Sequence, residues 1–171
     1  MFLNLETIPP FYKHYVKLVE QPDVLVALRI SGYRTMELIH FIPEEKQDFR
    51  YADGKWSIRE VLCHMLDAER IFAYRALRFA RNDKTDLPGF DEVEYANNLN
   101  ATSRSLRKIG DEMQHLRNAT VDLFESFSAE MMTRKGTANK NELSVVAMGN
   151  VIAGHETHHC KILQERYLSI G

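Results

Sequence analysis

Apolar side chains recur every three or four residues along most of this chain, which is the spacing of one face of an α-helix. The pattern predicts four long helices and no β-strand. They span residues 23–41, 57–81, 103–127 and 144 to nearly the end of the chain. Because the connections between them are short to moderate, we predict an all-α fold, an antiparallel four-helix bundle in up-down-up-down order with short extra helical segments.

Several local signals mark the ends of these elements. Ser57 is followed three residues later by Glu60, a capping box that predicts the start of the second helix. Residues 11–19 and 91–98 are predicted to form short helical segments, and residues 135–140 a polar loop. A chain of 171 residues fits one domain, which we predict to span 1–171.

Composition and charge exclude several classes of protein. The chain is 44% hydrophobic and 27% charged, has a formal net charge of −2, and contains no basic block of the kind that binds nucleic acid. Its apolar runs are far shorter than a membrane span, and its first residues lack the pattern of a secretory signal. Two cysteines do not make a disulfide framework, so we expect a cytoplasmic protein.

Two histidines occupy the apolar stripe of the fourth helix. The stripe runs, at intervals of three and four, through Val145, Met148, Ile152, His155, His159 and Ile162. His155 and His159 therefore share one helix face, about 6 Å apart along the axis, a separation that suits two imidazoles on one metal ion. His158 lies about 60° from His155 on the helical wheel, so we expect His159 and not His158 to be the ligand.

A third histidine, His64, takes the equivalent position in the stripe of the second helix. In an up-down-up-down bundle the second and fourth helices run parallel, and His64 then lies at a depth similar to that of the pair. Three imidazoles form a candidate site for a divalent ion, and Zn, Ni, Fe and Co all suit them. Three protein ligands leave positions open for water or substrate, as in catalytic sites. The alternative is that all three are hydrogen-bonded core residues.

Other polar residues near these histidines have more than one interpretation. The segment from His155 to His159 matches the H-E-x-x-H helix of zinc proteases, but its third candidate ligand lies upstream and no sheet is predicted to hold a peptide. Glu156 and Asp67 are candidate catalytic carboxylates, for activating a water or orienting a ligand, or else ordinary ion-paired side chains. Arg75 is expected to bind a carboxylate, from the protein or from a substrate.

Both cysteines neighbour a candidate ligand in sequence. Adjacent helical positions diverge by about 100°, so neither Cys63 nor Cys160 can readily join its neighbour on one ion. We predict that both are free thiols buried in the core.

Four stretches taken together resemble the DinB/YfiT-like superfamily of metal-binding four-helix bundles. They are Gly54-Lys-Trp-Ser-Ile-Arg-Glu-Val-Leu-Cys-His64, Ala68-Glu-Arg-Ile-Phe-Ala-Tyr-Arg75, Leu87-Pro-Gly-Phe90 and Ala153-Gly-His155-Glu-Thr-His-His159. The resemblance covers residues 24–167 and implies a metal, most often nickel or zinc, bound by His64, His155 and His159.

The resemblance also implies an activity and an assembly. It implies a homodimer and a metal-dependent enzyme that activates either a low-molecular-weight thiol, as an S-transferase, or a water, as a hydrolase, on a small-molecule substrate. The charge and the short apolar runs predict no nucleic-acid and no membrane partner. The rival hypothesis is a non-catalytic metal-binding bundle with a role in stress.

Overall fold

The computed structural model describes residues 3–169 of the chain. In these residues, the helices and strands in chain order are α1 (Pro10–Val16), α2 (Val24–Phe41), α3 (Ile58–Ala80), α4 (Glu92–Asn97), α5 (Leu106–Glu125), α6 (Ala129–Thr133), β1 (Lys135–Ala138), β2 (Asn141–Ser144) and α7 (Val145–Ile162). A π-helical segment, Leu163–Leu168, continues α7. None of the described helices has both the length and the hydropathy to cross a membrane.

The four long helices α2, α3, α5 and α7 form a four-helix bundle, which confirms the predicted fold class. Both α5 and α7 pack against α2 and also against α3. The first two long helices, α2 and α3, therefore lie across the bundle diagonal from each other. In a simple up-down-up-down bundle, by contrast, consecutive helices are neighbours.

The directions of the helices also differ from the predicted alternation. Glu69 contacts Arg117 and Cys63 contacts Arg104, at the start of α5, so α3 and α5 run parallel. The helices α2 and α7 likewise run parallel. Val24 lies against Gly149 near the start of both helices, and Thr35 bonds to Cys160 nearer the end of both. The order is up-down-down-up, and the up-down-up-down prediction was wrong. The physical reason is the long connection over residues 81–105, which returns the chain to the end where α3 began.

The capping box at Ser57 is confirmed and fixes where α3 begins. Ser57 Oγ accepts a hydrogen bond from the Glu60 backbone N–H at 3.3 Å, and Glu60 Oε2 accepts one from the Ser57 N–H at 2.6 Å. Each bond satisfies a backbone donor that the first turn would otherwise leave unpaired. With the start fixed, His64 falls on the buried face about two turns into α3.

A β-hairpin forms where the sequence predicted a polar loop over residues 135–140. Strands β1 and β2 pair antiparallel through a turn in which Asn139 and Lys140 have φ of 49° and 60°. A Cβ on Gly136 would lie 2.0 Å from Phe79 Cδ1, so the hairpin packs directly on the end of α3. The hairpin also bonds to both backbone groups of Leu87, which holds the following segment beside the bundle. The turn lacks the Asn-Gly signal that identifies such hairpins.

Helix α1 packs across α7 at Gly154. A Cβ at this position would lie 2.1 Å from the Tyr15 carbonyl oxygen, so only glycine allows the backbones to approach this closely. Val16 and Tyr12 of α1 are buried against the bundle. The contact brings Tyr15 beside His155, with ring centroids 5.1 Å apart.

Candidate metal centre

The structure brings together the three histidines that the sequence singled out. His155 Nε2 lies 3.2 Å from His64 Nε2 and 3.1 Å from His159 Nε2. Each residue offers one ring nitrogen, and these three atoms all lie within 4.8 Å of one another. His64 and His155 are each 6% exposed, and His159 is half-buried. A compact group of three imidazole nitrogens therefore lies between α3 and α7.

The three histidines do not lie at similar depths in parallel helices, so that part of the prediction was wrong. Helices α3 and α7 run antiparallel: His64 meets His155, while Trp56, just before α3, accepts a hydrogen bond from Tyr167 beyond the end of α7. The beginning of α3 and the end of α7 lie at the same end of the bundle. The histidines meet there because they lie at opposite ends of their respective helices.

The three nitrogens fit a divalent ion better than they fit one another. Two imidazole nitrogens bound to one tetrahedral ion at about 2.0–2.1 Å lie about 3.3 Å apart, close to the separations around His155. A neutral imidazole Nε2 either donates one proton or offers one lone pair. His155 Nε2 faces two other ring nitrogens, so it cannot make two well-aligned hydrogen bonds. A single cation would satisfy all three nitrogens at once.

Burial also keeps these imidazoles in the protonation state that binds metals. Burial lowers the pKa of His64 from its ordinary value to about 4. Burial, together with the neighbouring imidazoles, holds the pKa values of His155 and His159 well below their usual range. All three rings are therefore neutral near neutral pH, with lone pairs available to an ion.

Aromatic rings and a narrow cavity surround the cluster. The ring centroid of Trp56 lies 4.9 Å from that of His64, and the ring of Phe72 lies 5.7 Å from that of His155. A cavity of about 30 Å³, room for one or two waters, reaches both His64 and His155. Its other lining residues are Phe11, Tyr12, Tyr15, Phe72, Arg75, Phe90, Glu92 and Asn139. A larger groove of about 460 Å³, between α2 and α5, contains none of the three clustered histidines.

His158 lies at the flank of the cluster and faces α1. Its ring centroid is 5.4 Å from that of Tyr15 and 5.6 Å from that of His14. Its ring nitrogens are not among the three that converge. The prediction that His159 and not His158 is the ligand agrees with this placement and still requires a metal measurement. His14, which showed no partner pattern in the sequence, lies at the rim of the site.

Glu156 belongs to a buried ionic network on the other side of α7. Arg117 donates to Glu69 through Nε at 3.0 Å and through Nη2 at 2.8 Å. Its Nη1 lies 2.6 Å from Glu156 Oε2, an ionic contact without hydrogen-bond alignment. Burial and the nearby Glu69 raise the pKa of Glu156, whereas Arg117 lowers it. The network joins α3, α5 and α7, and Arg117 reaches α2 through the Leu28 carbonyl at 2.7 Å.

Arg117 is the buried residue of this region that sequence reasoning missed. The spacing of threes and fours in this helix predicts a buried stripe that omits both Arg117 and Phe124, although both are buried. The predicted stripe is Met113, Leu116, Ala119 or Thr120, Leu123 and Phe127, of which Met113, Thr120 and Phe127 are buried. An arginine in a helical pattern normally indicates the solvent side. The available signal was the complementary pair of acidic residues at core positions of α3 and α7, Glu69 and Glu156.

Asp67 and the two cysteines lie near the histidines without converging on them. Asp67 is half-buried, and its Oδ1 lies 3.5 Å from Arg70 Nη1. Both cysteines are buried and free, as predicted. Burial raises the pKa of the Cys160 thiol to about 12 and also raises that of Cys63. These thiols are therefore protonated and inert near neutral pH.

Solved structures share this bundle. YfiT from Bacillus subtilis, whose description reads "a probable metal-dependent hydrolase with an unusual four-helix bundle topology", matches with a TM-score of 0.74 and 16% identity, over 86% of each chain. A DinB-like protein of Bacillus subtilis, YjoA, matches with a TM-score of 0.62 and 17% identity, over 86% of this chain and 92% of that one. At these identities the likeness establishes the fold alone.

Sequence comparison extends this likeness to a family. The Oceanobacillus iheyensis protein named "Putative metal-dependent hydrolase OB0413" is 24% identical over 128 residues, which are 74% of this chain and 73% of that protein. Residues 27–163, most of the chain, match the DinB superfamily. On that match, and in agreement with the resemblance seen in its motifs, the chain belongs to the DinB superfamily.

Proposed function

We propose that this protein is a metal-dependent hydrolase of a small molecule, with one divalent ion held by His64, His155 and His159. The observation that carries the proposal is the convergence of three imidazole nitrogens, two of which belong to residues that line a cavity, His64 and His155. Three protein ligands leave coordination positions free, which is the arrangement of catalytic zinc sites. The names of two similar proteins, which both contain the words metal-dependent hydrolase, support the same reaction class.

The residues of the chain would prepare the site for this chemistry. When bound, the ion would supply a Lewis acid that polarises a substrate oxygen and lowers the pKa of a coordinated water or thiol. Burial holds the imidazoles neutral, and the rings of Phe72 and Tyr15 shield His155 from bulk water. Burial, with Glu92 nearby, raises the pKa of the Tyr15 hydroxyl to about 12, so this group stays a hydrogen-bond donor in the cavity.

We propose positioning roles, not roles as general bases, for the two acidic candidates. The Glu156 carboxylate contacts Arg117 and is not among the residues that line the cavity reaching His64. It would anchor α7 and so hold the backbone that carries His155. Asp67 pairs with Arg70 on its own helix and would stabilise the turn that follows His64.

Thiol transfer is the second candidate function. It is favoured because the two candidate bases, Glu156 and Asp67, are paired with arginines. A thiol that coordinates a divalent ion is deprotonated without a protein base. Both Glu156 and Asp67 already contact an arginine. An S-transferase that uses a low-molecular-weight thiol would therefore need no further group from the chain.

The identity of the metal and the assembly are also proposals. Nickel and zinc both accept three imidazole ligands, so we propose one of these two ions. We propose a homodimer because the family resemblance implies one. Light scattering would test it against the 19.9 kDa mass of one chain.

The decisive experiment uses the full chain loaded with zinc or with nickel. Activated esters, amides and phosphodiesters would be offered without thiol, and electrophilic substrates would be offered with glutathione, bacillithiol or mycothiol. We expect turnover that requires the ion and is lost in His155→Ala. Turnover only with thiol would select the S-transferase. If the protein binds the ion but converts no substrate, with or without thiol, the non-catalytic metal-binding bundle is the correct hypothesis. Failure to bind any ion would overturn the proposed metal site itself.

A further inference from the structure

Arg75 is a buried cation at the end of the cavity away from the histidines. It is 3% exposed, lies on α3, and lines the same cavity as His64 and His155. The ring of Phe72 lies between the two ends: its centroid is 5.8 Å from the Arg75 guanidinium carbon and 5.7 Å from the His155 ring. The guanidinium and the candidate metal site thus face the same cavity.

No carboxylate among residues 3–169 pairs with this guanidinium. Arg75 Nη2 donates to the Pro88 carbonyl at 2.9 Å, and the Tyr12 hydroxyl lies beside it. The ring of Phe90 completes its surroundings, with the centroid 6.0 Å from the guanidinium carbon. A guanidinium has five N–H donors, and the Pro88 carbonyl accepts only one of them. Other donors of Arg75 therefore remain available to a ligand in the cavity.

The other buried arginines show how unusual this environment is. Arg117 contacts two glutamates, and Arg59 contacts Asp48. Burying a charge without an opposite charge is costly, and one partner within bonding distance offsets much of that cost. Burial lowers the pKa of Arg75, with only the Tyr12 phenol acting against it. An anion in the cavity would supply the missing partner.

We propose that Arg75 binds the carboxylate of a monoanionic substrate and holds its reacting end toward His64 and His155. This inference rests on the proposed function for its catalytic meaning, but the binding of a carboxylate can be tested without it. A planar guanidinium holds a carboxylate through two parallel hydrogen bonds. The aromatic wall formed by Phe11, Phe72 and Phe90 favours an apolar group next to that carboxylate, and the volume of about 30 Å³ limits that group to a small one.

A second feature limits the charge of the substrate. Glu92 lines the same cavity from its exposed side, and Arg75 is the only arginine or lysine in the lining. In the metal-free chain, one cation balances one negative charge, and the Glu92 carboxylate would repel a second. The pocket should therefore prefer a monocarboxylate to a phosphate or a dicarboxylate.

The experiment separates this binding from metal chemistry by using metal-free full-length protein. Acetate, its neutral isostere acetamide, and inorganic phosphate would be titrated by NMR into the wild type, Arg75→Met and Arg75→Lys, because these probes match a cavity of about 30 Å³. We expect the wild type to bind acetate at least tenfold more tightly than the amide. In Arg75→Met this preference should disappear while binding of the amide is unchanged, and Arg75→Lys should retain part of it.

The outcomes distinguish this proposal from the proposed function. Unchanged metal content in Arg75→Met, together with the lost preference, would support a carboxylate site that is independent of the ion. Equal binding of acid and amide by the wild type, no binding of acetate, or tighter binding of phosphate would overturn it. If Arg75→Met does not fold, judged by circular dichroism, Arg75→Lys and the wild type still decide the result through the comparison of acid with amide.

Discussion

The three clustered histidines and their neighbour His158 form a matched set for mutation. We predict that the purified chain binds about one divalent ion, because three neutral ring nitrogens converge on one point. Single alanine substitutions at His64, His155 or His159 should remove most of it, since each leaves two ligands. Elemental analysis of each variant after loading with zinc or nickel measures the effect directly.

His158→Ala is the control for that series. The substitution removes an imidazole from the same helix turn, but its ring faces His14 and Tyr15. Metal content should stay near that of the wild type. Loss of metal in this variant with retention in His159→Ala would mean that the ligand assignment is wrong.

The pairing of His155 with His159 was predictable, whereas the charge network beside them was not. His155 and His159 are four residues apart at apolar positions, and helical geometry alone then places them on one buried face. Arg117 also takes a buried position, but a charged residue in a helical pattern is normally exposed. Its burial depends on Glu69 and Glu156 arriving from other helices, and the periodicity of a single helix carries no such information.

At the scale of the elements, the crossing of α1 over α7 can be tested at Gly154. A Cβ here would lie 2.1 Å from a backbone oxygen of Tyr15, which cannot move unless α1 moves. We predict that Gly154→Ala destabilises the fold by about 1–3 kcal/mol, the usual range for overpacking. Because α1 carries Tyr12 and Tyr15, the variant should also disturb the cavity wall. Denaturant unfolding monitored by circular dichroism gives the free energy.

Gly110→Ala supplies the matched control on α5. A Cβ at this helical glycine would meet Ile39 at an ordinary 3.4 Å. Because alanine has a higher helix propensity than glycine, the change should be neutral or should stabilise the fold by up to about 1 kcal/mol. Equal destabilisation by both variants would mean that the close contact between α1 and α7 is not the reason why glycine is required at position 154.

The elements themselves were more predictable than their arrangement. The start of α3 depends only on residues that are adjacent in the sequence, and Ser57 was correctly identified as its capping residue. The parallel pairing of α2 with α7 was missed, because periodicity identifies a buried face and not the helix that covers it. The hairpin was missed because its turn residues, Asn139 and Lys140, adopt positive φ without a glycine.

At the scale of the whole molecule, Arg117 joins all four long helices through one side chain. We predict that Arg117→Met costs about 3–5 kcal/mol, because it leaves two carboxylates buried without a cation. Arg29→Met is the control, since the Arg29–Glu125 pair is exposed and such pairs contribute less than about 1 kcal/mol. Comparable losses in the two variants, measured by denaturant unfolding, would contradict the proposed role of the buried network.

The buried imidazoles also couple the stability of the whole molecule to pH. Burial lowers the pKa of His64 to about 4 and holds those of His155 and His159 well below their usual range. Histidines in the unfolded chain titrate near 6.5. Below that pH the unfolded chain therefore takes up protons that the folded chain excludes, so the free energy of unfolding falls. Above about pH 6.5 the imidazoles are neutral in both states and cost nothing, and stability is lost progressively as the pH falls from about 6.5 toward 4.

We therefore predict two separable losses of stability. Chelator should lower the melting temperature near neutral pH by removing an ion that binds only the folded chain, without changing the helical spectrum at room temperature.

The metal-free chain should then lose further stability between about pH 6.5 and pH 4, with His64 alone contributing on the order of 3 kcal/mol. Circular dichroism melts of His64→Gln should show a flatter dependence on pH, whereas His115→Gln, an exposed site on α5, should follow the wild type. A melting temperature that responds to neither chelator nor pH would show that these histidines neither bind an ion nor resist protonation in the fold.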